Sequence, residues 1–246
     1  MAIARIGGSL MRLSTPIFRL KRQAKQLSRE SNMCLTKAQD SVAVQEGFKS
    51  WGQLATFHAK NSSISSIYKA LTAGDLVLLA ARPGQGKTLI SLELAIEAIK
   101  SGQYAAFYSL EATQREVISR LESLQAPMAA CETTLTIDTS DEICASHIIQ
   151  RSQAVQPCTF IVVDYLQLLD QARTRPPLAE QLVALKAFAK ASGAIVVMIS
   201  QIDRSFEAAS RPLPDMSDIR LPNPINLSLF TKTLFINEGA VEMNAA

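Results

Sequence analysis

The sequence predicts an α/β protein with a mostly parallel central sheet flanked by helices, plus a small all-α module at the N-terminus. From residue 75 onward, short apolar runs typical of strands buried on both faces alternate with segments of helical length. Before residue 60, apolar residues instead recur three to four positions apart. A glycine-broken polar loop follows the first apolar run directly, which is typical of a ligand-binding turn.

The N-terminal part of the chain predicts a helical module. Helical spacing covers Ile17–Glu30, a second short helix is expected at Thr36–Glu46, and Gly47–Ala55 indicates a further turn or helix. Because three short helices need a bulky centre, we assign Trp51 to the core of the module rather than to base stacking. The expected organisation is a disordered terminus at 1–15, a basic helical module at 16–60, a polar linker at 61–72 and a second domain at 73–246.

The second domain alternates strands with helices, which is the order of a parallel sheet with helical crossovers. Thr113 and Glu116 are spaced as a capping box at the start of one helix. The predicted strands are Leu76–Ala80, Tyr104–Leu110, Leu135–Asp138, Thr159–Asp164, Ala194–Ser200 and Leu229–Asn237. The predicted helices are Lys87–Lys100, Gln114–Leu124, Asp141–Ala154 and Leu178–Ala191.

Composition argues against several classes of protein. Of the 246 residues, 48% are hydrophobic and 19% charged, so a full core can be buried, yet no stretch approaches the ~20 apolar residues of a membrane span. The four cysteines form no CxxC pair and no cluster with histidine, which argues against a zinc site or a disulfide framework. We therefore expect a cytoplasmic protein with no membrane partner.

Positive charge is concentrated at the N-terminus. Residues 1–60 hold ten Lys/Arg and three acidic residues, a net of +7, whereas the whole chain carries +3. Such asymmetry is typical of an end that faces nucleic acid. A solvated basic face is an alternative explanation, and an Arg-rich targeting peptide within the first 29 residues is a third.

The loop after the first predicted strand matches the phosphate-binding P-loop pattern at every position except the first, where Ala81 replaces glycine. Gly84 and Gly86 allow backbone amides to point inward at the start of a helix, where an anion is favoured. Lys87 is expected to bridge the β- and γ-phosphates, and the Thr88 hydroxyl to hold Mg²⁺. The expected nucleotide-binding residues are Ala81, Arg82, Pro83, Gly84, Gln85, Gly86, Lys87 and Thr88.

Three polar residues follow other predicted strands. Asp164 ends a buried strand, at the carboxyl edge where ligands of open α/β sheets lie, and is expected to hold the metal together with Thr88. Glu111 is either a general base that polarises the attacking water or a glutamate favoured at a helix start. Gln201 is either a residue that senses the γ-phosphate by hydrogen bonding or an ordinary polar loop residue.

Four segments, in their order along the chain, resemble the ATPase domain of DnaB-type replicative helicases, a branch of the RecA-like ATPases. They are "ARPGQGKT", "FYSLE", "IVVDYLQLL" and "SQIDR", within a resemblance that covers about residues 70–220. The resemblance implies a RecA-like P-loop NTPase fold, with ATP and Mg²⁺ as cofactors and with Thr88 and Asp164 at the metal. It also implies catalytic roles for Lys87 at the phosphates, Glu111 as general base and Gln201 as γ-phosphate switch.

The same resemblance implies single-stranded DNA as a partner, a homo-oligomeric ring and contacts with replication proteins. The DNA loops of the family correspond to about Gln171–Pro177 and Ser205–Pro214. Basic side chains in or beside these loops are candidate phosphate contacts, namely Arg173, Arg175, Arg204 and Arg211.

The end of the sequence departs from the family pattern. The family carries a basic pair after its last strands that reaches the γ-phosphate of a neighbouring subunit. Here no arginine follows Arg220, and Lys232 is the only basic residue in that stretch. Because an arginine finger contributes on the order of 10³-fold or more to turnover, this departure bears directly on ring-type translocation.

Three functions are compatible with these motifs. The first is an ATP-dependent DNA helicase or translocase of the DnaB type, acting in DNA replication. The second is a RecA-like ATPase that binds DNA or a partner and switches with nucleotide without unwinding, which the missing arginine favours. The third is a P-loop enzyme that acts on a small molecule, such as a kinase; Gln201 and the lack of a lid-like arginine cluster argue against it.

Overall fold

The computed structural model describes residues 17–61, 64–154, 159–169, 175–208, 211–220 and 225–245. These residues form two compact units, one ending at Asn61 and the other beginning after it. The terminus predicted to be disordered, at 1–15, lies outside the described residues. Within the described ranges, no helix is both long and apolar enough to cross a membrane.

The described part of the N-terminal unit consists of α1 (Ile17–Glu30), α2 (Leu35–Gln45) and α3 (Trp51–Asn61). The Trp51 amide donates a hydrogen bond of 2.8 Å to the Asp40 carboxylate, which fixes the start of α3. Trp51 is half-buried and packs against the edge of the small core, rather than filling its centre as predicted. The core is formed by Leu20, Ala24, Ala38, Val42, Ala43, Phe48 and Leu54.

Helix α4 (Ile64–Ala70) lies within the segment that the sequence predicted to be a polar linker, 61–72. Ile67 and Leu71 lie four residues apart on one side of this segment, and both are buried in the core of the second unit. This differs from the linker prediction because two well-spaced apolar residues outweigh the polar composition around them.

The strands of the second unit are β1 (Leu76–Ala81), β2 (Ala105–Ser109), β3 (Leu135–Asp138), β4 (Phe160–Asp164), β5 (Ile195–Gln201), β6 (Lys232–Asn237) and β7 (Ala240–Ala245). Among the described residues they form one seven-stranded sheet in the order β3-β2-β4-β5-β1-β6-β7. Every neighbouring pair is parallel except β6 with β7, which is antiparallel. The predicted mostly parallel α/β fold is confirmed.

Helices cover both faces of the sheet. They are α5 (Lys87–Lys100), α6 (Gln114–Ser123), α7 (Met128–Thr134), α8 (Ala145–Gln153) and α9 (Leu178–Ser192). Alternate residues of β1 pack on opposite faces: Val77 lies in the core with α4 to α7, and Leu78 in the core with α8 and α9. Because both sides of the central strands are buried, these strands are continuously apolar rather than alternating.

Several bounds differ from the sequence predictions. α7 and β7 were not predicted, and β6 begins at Lys232 rather than at Leu229 because a short 3₁₀ turn capped by Asn226 precedes it. α8 begins at Ala145 rather than at Asp141. The Ala145 amide donates a hydrogen bond of 2.9 Å to the buried Gln181 side chain at this start. The predicted capping box of Thr113 and Glu116 is present at the start of α6.

The parallel register brings the carboxyl ends of β1, β2, β4 and β5 to the same edge of the sheet. Ala81 at the end of β1 pairs with Gln201 at the end of β5, and Ser109 at the end of β2 pairs with Asp164 at the end of β4. The loops that follow these four strands therefore meet at one edge, which is where ligands of open α/β sheets bind.

Candidate nucleotide-binding site

The P-loop, residues 81–88, connects the end of β1 to the start of α5. Gly84 and Gly86 have φ values of +77° and +81°, a backbone conformation that glycine adopts without a steric penalty. Gly86 is the N-cap residue of α5, and no described side chain caps that helix terminus. The first amides of α5 thus remain available to an anion, with the positive end of the helix dipole behind them.

The Lys87 ammonium lies over the P-loop and donates a hydrogen bond of 3.2 Å to the Arg82 carbonyl. Burial lowers its pKa, while the nearby carboxylates of Asp164 and Glu111 oppose that shift. Lys87 is half-buried, and its described hydrogen bond is to a carbonyl, so it is well placed to exchange this partner for a phosphate.

The Thr88 hydroxyl donates a hydrogen bond of 2.9 Å to Oδ2 of Asp164. This contact joins the first turn of α5 to the end of β4, across 76 residues of sequence. Asp164 is only 2% exposed, and burial raises its pKa to about 6 against the opposing effect of the Thr88 hydrogen bond. Such an ionised carboxylate is poorly solvated and gains from a cation beside it.

The Thr88–Asp164 pair fits a magnesium ion. Mg²⁺ takes octahedral oxygen ligands at about 2.1 Å, so two adjacent ligands lie roughly 3 Å apart. The two side-chain oxygens are separated by 2.9 Å. In the described part of the chain, no group of three or more His, Cys, Asp or Glu side chains is assembled for a metal. That is expected where phosphate oxygens and water supply the other magnesium ligands.

Glu111 lies at the same edge, in the loop after β2. Its carboxylate is exposed, and its charge is close enough to Lys87 and Asp164 to act on the pKa of each. Ser109 positions this loop, because its hydroxyl accepts hydrogen bonds from the amides of Glu111 at 3.3 Å and Ala112 at 2.9 Å. No sequence pattern pointed to Ser109, which ends the strand as a buried small polar residue.

Gln201 ends β5 beside the first residue of the P-loop, and its carbonyl accepts a hydrogen bond of 2.8 Å from the Arg220 amide. Gln167, which the sequence analysis did not single out, joins the same region. Its side-chain Nε2 donates to Ser200 Oγ at 2.8 Å and to the Arg220 carbonyl at 2.7 Å. Gln167 thus ties the segment after β4 to the end of β5 and to the segment that ends at Arg220.

Two P-loop side chains, Gln85 and Arg82, hold the loop in place. The Gln85 side chain accepts a hydrogen bond of 2.7 Å from the amide of Glu238, in the turn between β6 and β7. The Arg82 guanidinium pairs with Glu207 and donates to the Ile202 carbonyl at 3.2 Å. Arg82 is therefore anchored to the segment after β5, rather than projecting freely over the phosphate cradle.

The four candidate DNA contacts have different surroundings. Arg173 lies outside the described residues. Arg175 donates to the backbone carbonyl of Ile143, whereas Arg204 is exposed in a short 3₁₀ turn. Arg211 pairs with Asp215 and Asp218 and lies 6.0 Å from the ring centre of Phe206. Binding of DNA by these residues stays a prediction, and Arg204 is the most available described side chain of this set.

Lys232, the only basic residue after Arg220, lies at the opposite edge of the sheet from the P-loop. It is the first residue of β6 and pairs in register with Val77 near the start of β1. Its ammonium forms an ion pair with Asp75 and donates to the Thr72 hydroxyl at 3.0 Å. Burial acts to raise the pKa of Asp75, but hydrogen bonds from Lys232, Thr72 and Thr231 lower it overall. Lys232 therefore has a structural partner away from the nucleotide site.

The fold and the site geometry agree with one known family. The family described as DnaB-like helicase C-terminal domain matches residues 58–130 and 124–226, which together are more than half of the chain. The chain belongs to this family. The DnaB-like match takes in the P-loop, Glu111, Asp164 and Gln201 and stops before β6.

Curated DnaB relatives show limited identity. A replicative DNA helicase DnaB of Synechocystis sp. is 31% identical over 186 residues, which are 61% of this chain and 21% of that protein. A replicative DNA helicase DnaB of Leifsonia xyli subsp. xyli is 26% identical over 212 residues, which are 74% of this chain and 46% of that protein. The chain thus spans less than half the length of either of these DnaB proteins.

A solved structure shows the same DnaB-like fold. A DnaB-like replicative helicase, whose structure was described together with its interactions with primase, superimposes with a TM-score of 0.56 at 18% sequence identity. The superposition covers 89% of this chain and 67% of that one. At this identity the similarity establishes the fold, and the roles of individual side chains depend on the contacts described above.

Proposed function

We propose that this chain is an ATP-dependent DNA helicase or translocase of the DnaB type, which hydrolyses Mg²⁺-bound ATP and acts on single-stranded DNA in replication. The observation that carries the ATPase part is the Thr88–Asp164 hydrogen bond of 2.9 Å beside a helix terminus with free amides. Family membership supports the DNA part, since the curated relatives named above, of Synechocystis sp. and Leifsonia xyli subsp. xyli, are replicative DNA helicases.

The proposed division of work among the side chains follows from their positions. The amides at the start of α5 and the Lys87 ammonium bind the phosphates of ATP. Thr88 and Asp164 would hold Mg²⁺, which would neutralise part of the charge on the ATP phosphates. Glu111, exposed at the same edge, orients the attacking water and accepts its proton.

Gln201 is the proposed γ-phosphate sensor. Its backbone is bonded to the Arg220 amide, and Ile202 forms an isolated bridge with Ile219. A shift of Gln201 toward the γ-phosphate would therefore move the 215–220 segment, which holds Arg211 through Asp215 and Asp218. This connection links the nucleotide to one of the predicted DNA loops.

A second function is favoured by the position of Lys232. Since this residue is paired with Asp75 at the far edge of the sheet, it is not available to the γ-phosphate of a neighbouring subunit. The alternative is an ATPase that switches with nucleotide on DNA or on a partner without unwinding. Under that alternative, turnover is slow unless another protein supplies an arginine.

Three measurements on one preparation separate these functions. The helicase proposal predicts ATP hydrolysis stimulated by single-stranded DNA, displacement of a strand from a forked duplex, and a ring-sized particle with ATP and DNA. The switch alternative predicts DNA-dependent hydrolysis or nucleotide-dependent DNA binding without displacement. Hydrolysis that is not stimulated by DNA would contradict the helicase proposal, and DNA binding that is also independent of nucleotide would contradict the DNA-binding form of the alternative. Glu111→Gln serves as the inactive reference, and Glu132→Gln, which changes an exposed carboxylate on α7, is its matched control.

A further inference from the structure

Four exposed basic side chains lie on α1 of the N-terminal unit: Lys21, Arg22, Lys25 and Arg29. Across the part of the chain that the structure describes, none of the ion pairs includes any of them. We call this set the α1 basic stripe. The stripe contributes +4 to the N-terminal unit. The candidate nucleotide-binding site includes no residue of that unit.

The α1 basic stripe has a regular geometry. Lys21, Lys25 and Arg29 follow one another at four-residue intervals, so they lie about 6 Å apart along one face of the helix. Arg22 lies beside them. The opposite face carries Leu20 and Ala24, which are 1% and 0% exposed in the core of the unit. The stripe is therefore held on a packed helix and directed to solvent.

The stability of α1 does not explain this pattern. Like charges four residues apart destabilise a helix. The first turn of α1 contains no acidic residue that would offset them. Only Arg29, in the last turn, is favoured by the helix dipole. The other three charges are better explained by an external anion.

The acidic residues of the same unit have hydrogen-bond or other partners of their own. Glu30 accepts a hydrogen bond of 2.8 Å from Gln26, and Asp40 accepts one from the Trp51 amide at the start of α3. Glu46 also has a partner. α1 holds five basic residues against the single acid Glu30, so the helix keeps a net charge of +4, which suits a polyanion with closely spaced charges.

We propose that the α1 basic stripe binds the phosphate backbone of duplex DNA, as a second nucleic-acid contact separate from the single strand assigned to the ATPase unit. Duplex DNA presents one negative charge per ~1.7 Å of its axis. The four cations, which extend along roughly 12 Å of α1, can therefore each lie close to a phosphate. The contact is to the backbone and is therefore independent of base sequence.

Two other polyanionic partners, an anionic membrane and single-stranded DNA, fit the α1 basic stripe less well. A helix that binds lipid inserts an apolar face, but Leu20 and Ala24 of α1 are already buried within the unit. Single strands are usually held by stacking on aromatic side chains. Among the side chains described in this unit, Phe48 is buried and Trp51 is half-buried against the core, so neither ring is fully open for base stacking.

The test uses the full chain and a labelled 20-base-pair duplex, with binding measured by fluorescence anisotropy from 50 to 200 mM salt. In the variant Lys21→Gln/Arg22→Gln/Lys25→Gln/Arg29→Gln, the slope of log K against log salt should become shallower by roughly 3.6, or about 0.9 per phosphate contact. Lys21→Arg/Lys25→Arg should keep the wild-type slope. The matched control changes four exposed basic residues of the second unit, Lys69, Arg115, Arg151 and Lys190, to glutamine.

Three outcomes would overturn the proposal: an unchanged slope in the α1 variant, an equal change in the control variant, or a larger loss for a single strand than for the duplex. Tighter binding to phosphatidylserine vesicles than to duplex at the same salt would also overturn it. Circular dichroism checks that the exposed substitutions leave the helices intact. Because the stripe lies outside the P-loop site, DNA-free ATPase activity should be unchanged, and duplex binding can be scored even if the ATPase proposal fails.

Discussion

The substitution Asp164→Asn tests whether the buried carboxylate at the end of β4 is kept for a cation rather than for stability. The asparagine side chain has nearly the same shape and can still accept the hydrogen bond from Thr88. What it removes is a charge at a position only 2% exposed. Without metal or nucleotide, we therefore expect the variant to be more stable than the wild type at neutral pH.

The magnitude follows from the pKa of Asp164. Burial raises it from 3.8 to about 6, a difference of about 2 units, and each unit corresponds to about 1.4 kcal/mol. The native state therefore binds the proton more tightly than the unfolded state. Its stabilising effect is present below about pH 4 and is lost as the pH rises through about 6, reaching a loss of about 3 kcal/mol. The new amide needs an acceptor, which reduces the gain of the variant to about 1–3 kcal/mol.

The assay is urea unfolding in EDTA, without nucleotide, from pH 4.5 to 8. The stability difference between Asp164→Asn and the wild type should be small at the acid end and grow with pH until it levels off above about 7. Asp141→Asn, a change at an exposed carboxylate, should show no such trend. With Mg-ATP at 100 times the wild-type Kd, the advantage of the variant should shrink by at least about 1.3 kcal/mol, because a variant that binds at least about tenfold more weakly gains less stability from the same ligand concentration. In EDTA without nucleotide, an Asp164→Asn variant that is less stable than the wild type at pH 8, or a stability difference that does not change with pH, would rule out this explanation of the buried charge.

Three further substitutions probe the site. Lys87→Ala should lower ATP affinity at least about tenfold, seen by calorimetry, because the phosphates lose their ammonium partner. Glu111→Gln should bind Mg-ATP like the wild type while hydrolysis falls by about 10²–10⁴-fold, and unchanged turnover would remove the assigned base. Lys232→Met should lower the free energy of unfolding by about 3 kcal/mol, because it leaves the buried Asp75 carboxylate unpaired. The ATPase rate per folded molecule should stay unchanged in Lys232→Met; a lost rate at normal stability would give Lys232 a catalytic role instead.

Much of the fold could be predicted because local signals and burial agreed. The bounds of α5 were predicted to the residue, since the P-loop fixes where the helix begins and its apolar periodicity ends at Lys100. The central strands are buried on both faces and therefore form unbroken apolar runs. β7 has the mixed sequence "AVEMNA" and is only half buried along the sheet edge, so it produced neither an apolar run nor a clear alternation.

The site was predictable only where a motif carries its own structural context. The P-loop with Asp164 could be found because a strand precedes each of them. Gln167 could not, since its partners Ser200 and Arg220 lie 33 and 53 residues away along the chain. Lys232 is the only basic residue of the sequence after Arg220, but its position could not be inferred from that. The β1–β6 register was needed to place it at the edge of the sheet opposite the P-loop.

The central claim is that ATP lies on the amides of α5 and is held through a magnesium ion between Thr88 and Asp164. Calorimetric titration of Glu111→Gln, which prevents turnover, with ATP in the presence of Mg²⁺ and then in EDTA tests it most directly. We expect one ATP site per chain, with an affinity for ATP at least about tenfold weaker in EDTA than with Mg²⁺. Adding Thr88→Val should weaken the affinity for Mg-ATP to the same extent. No heat with Mg-ATP, or full magnesium-dependent affinity after Thr88→Val, would contradict it.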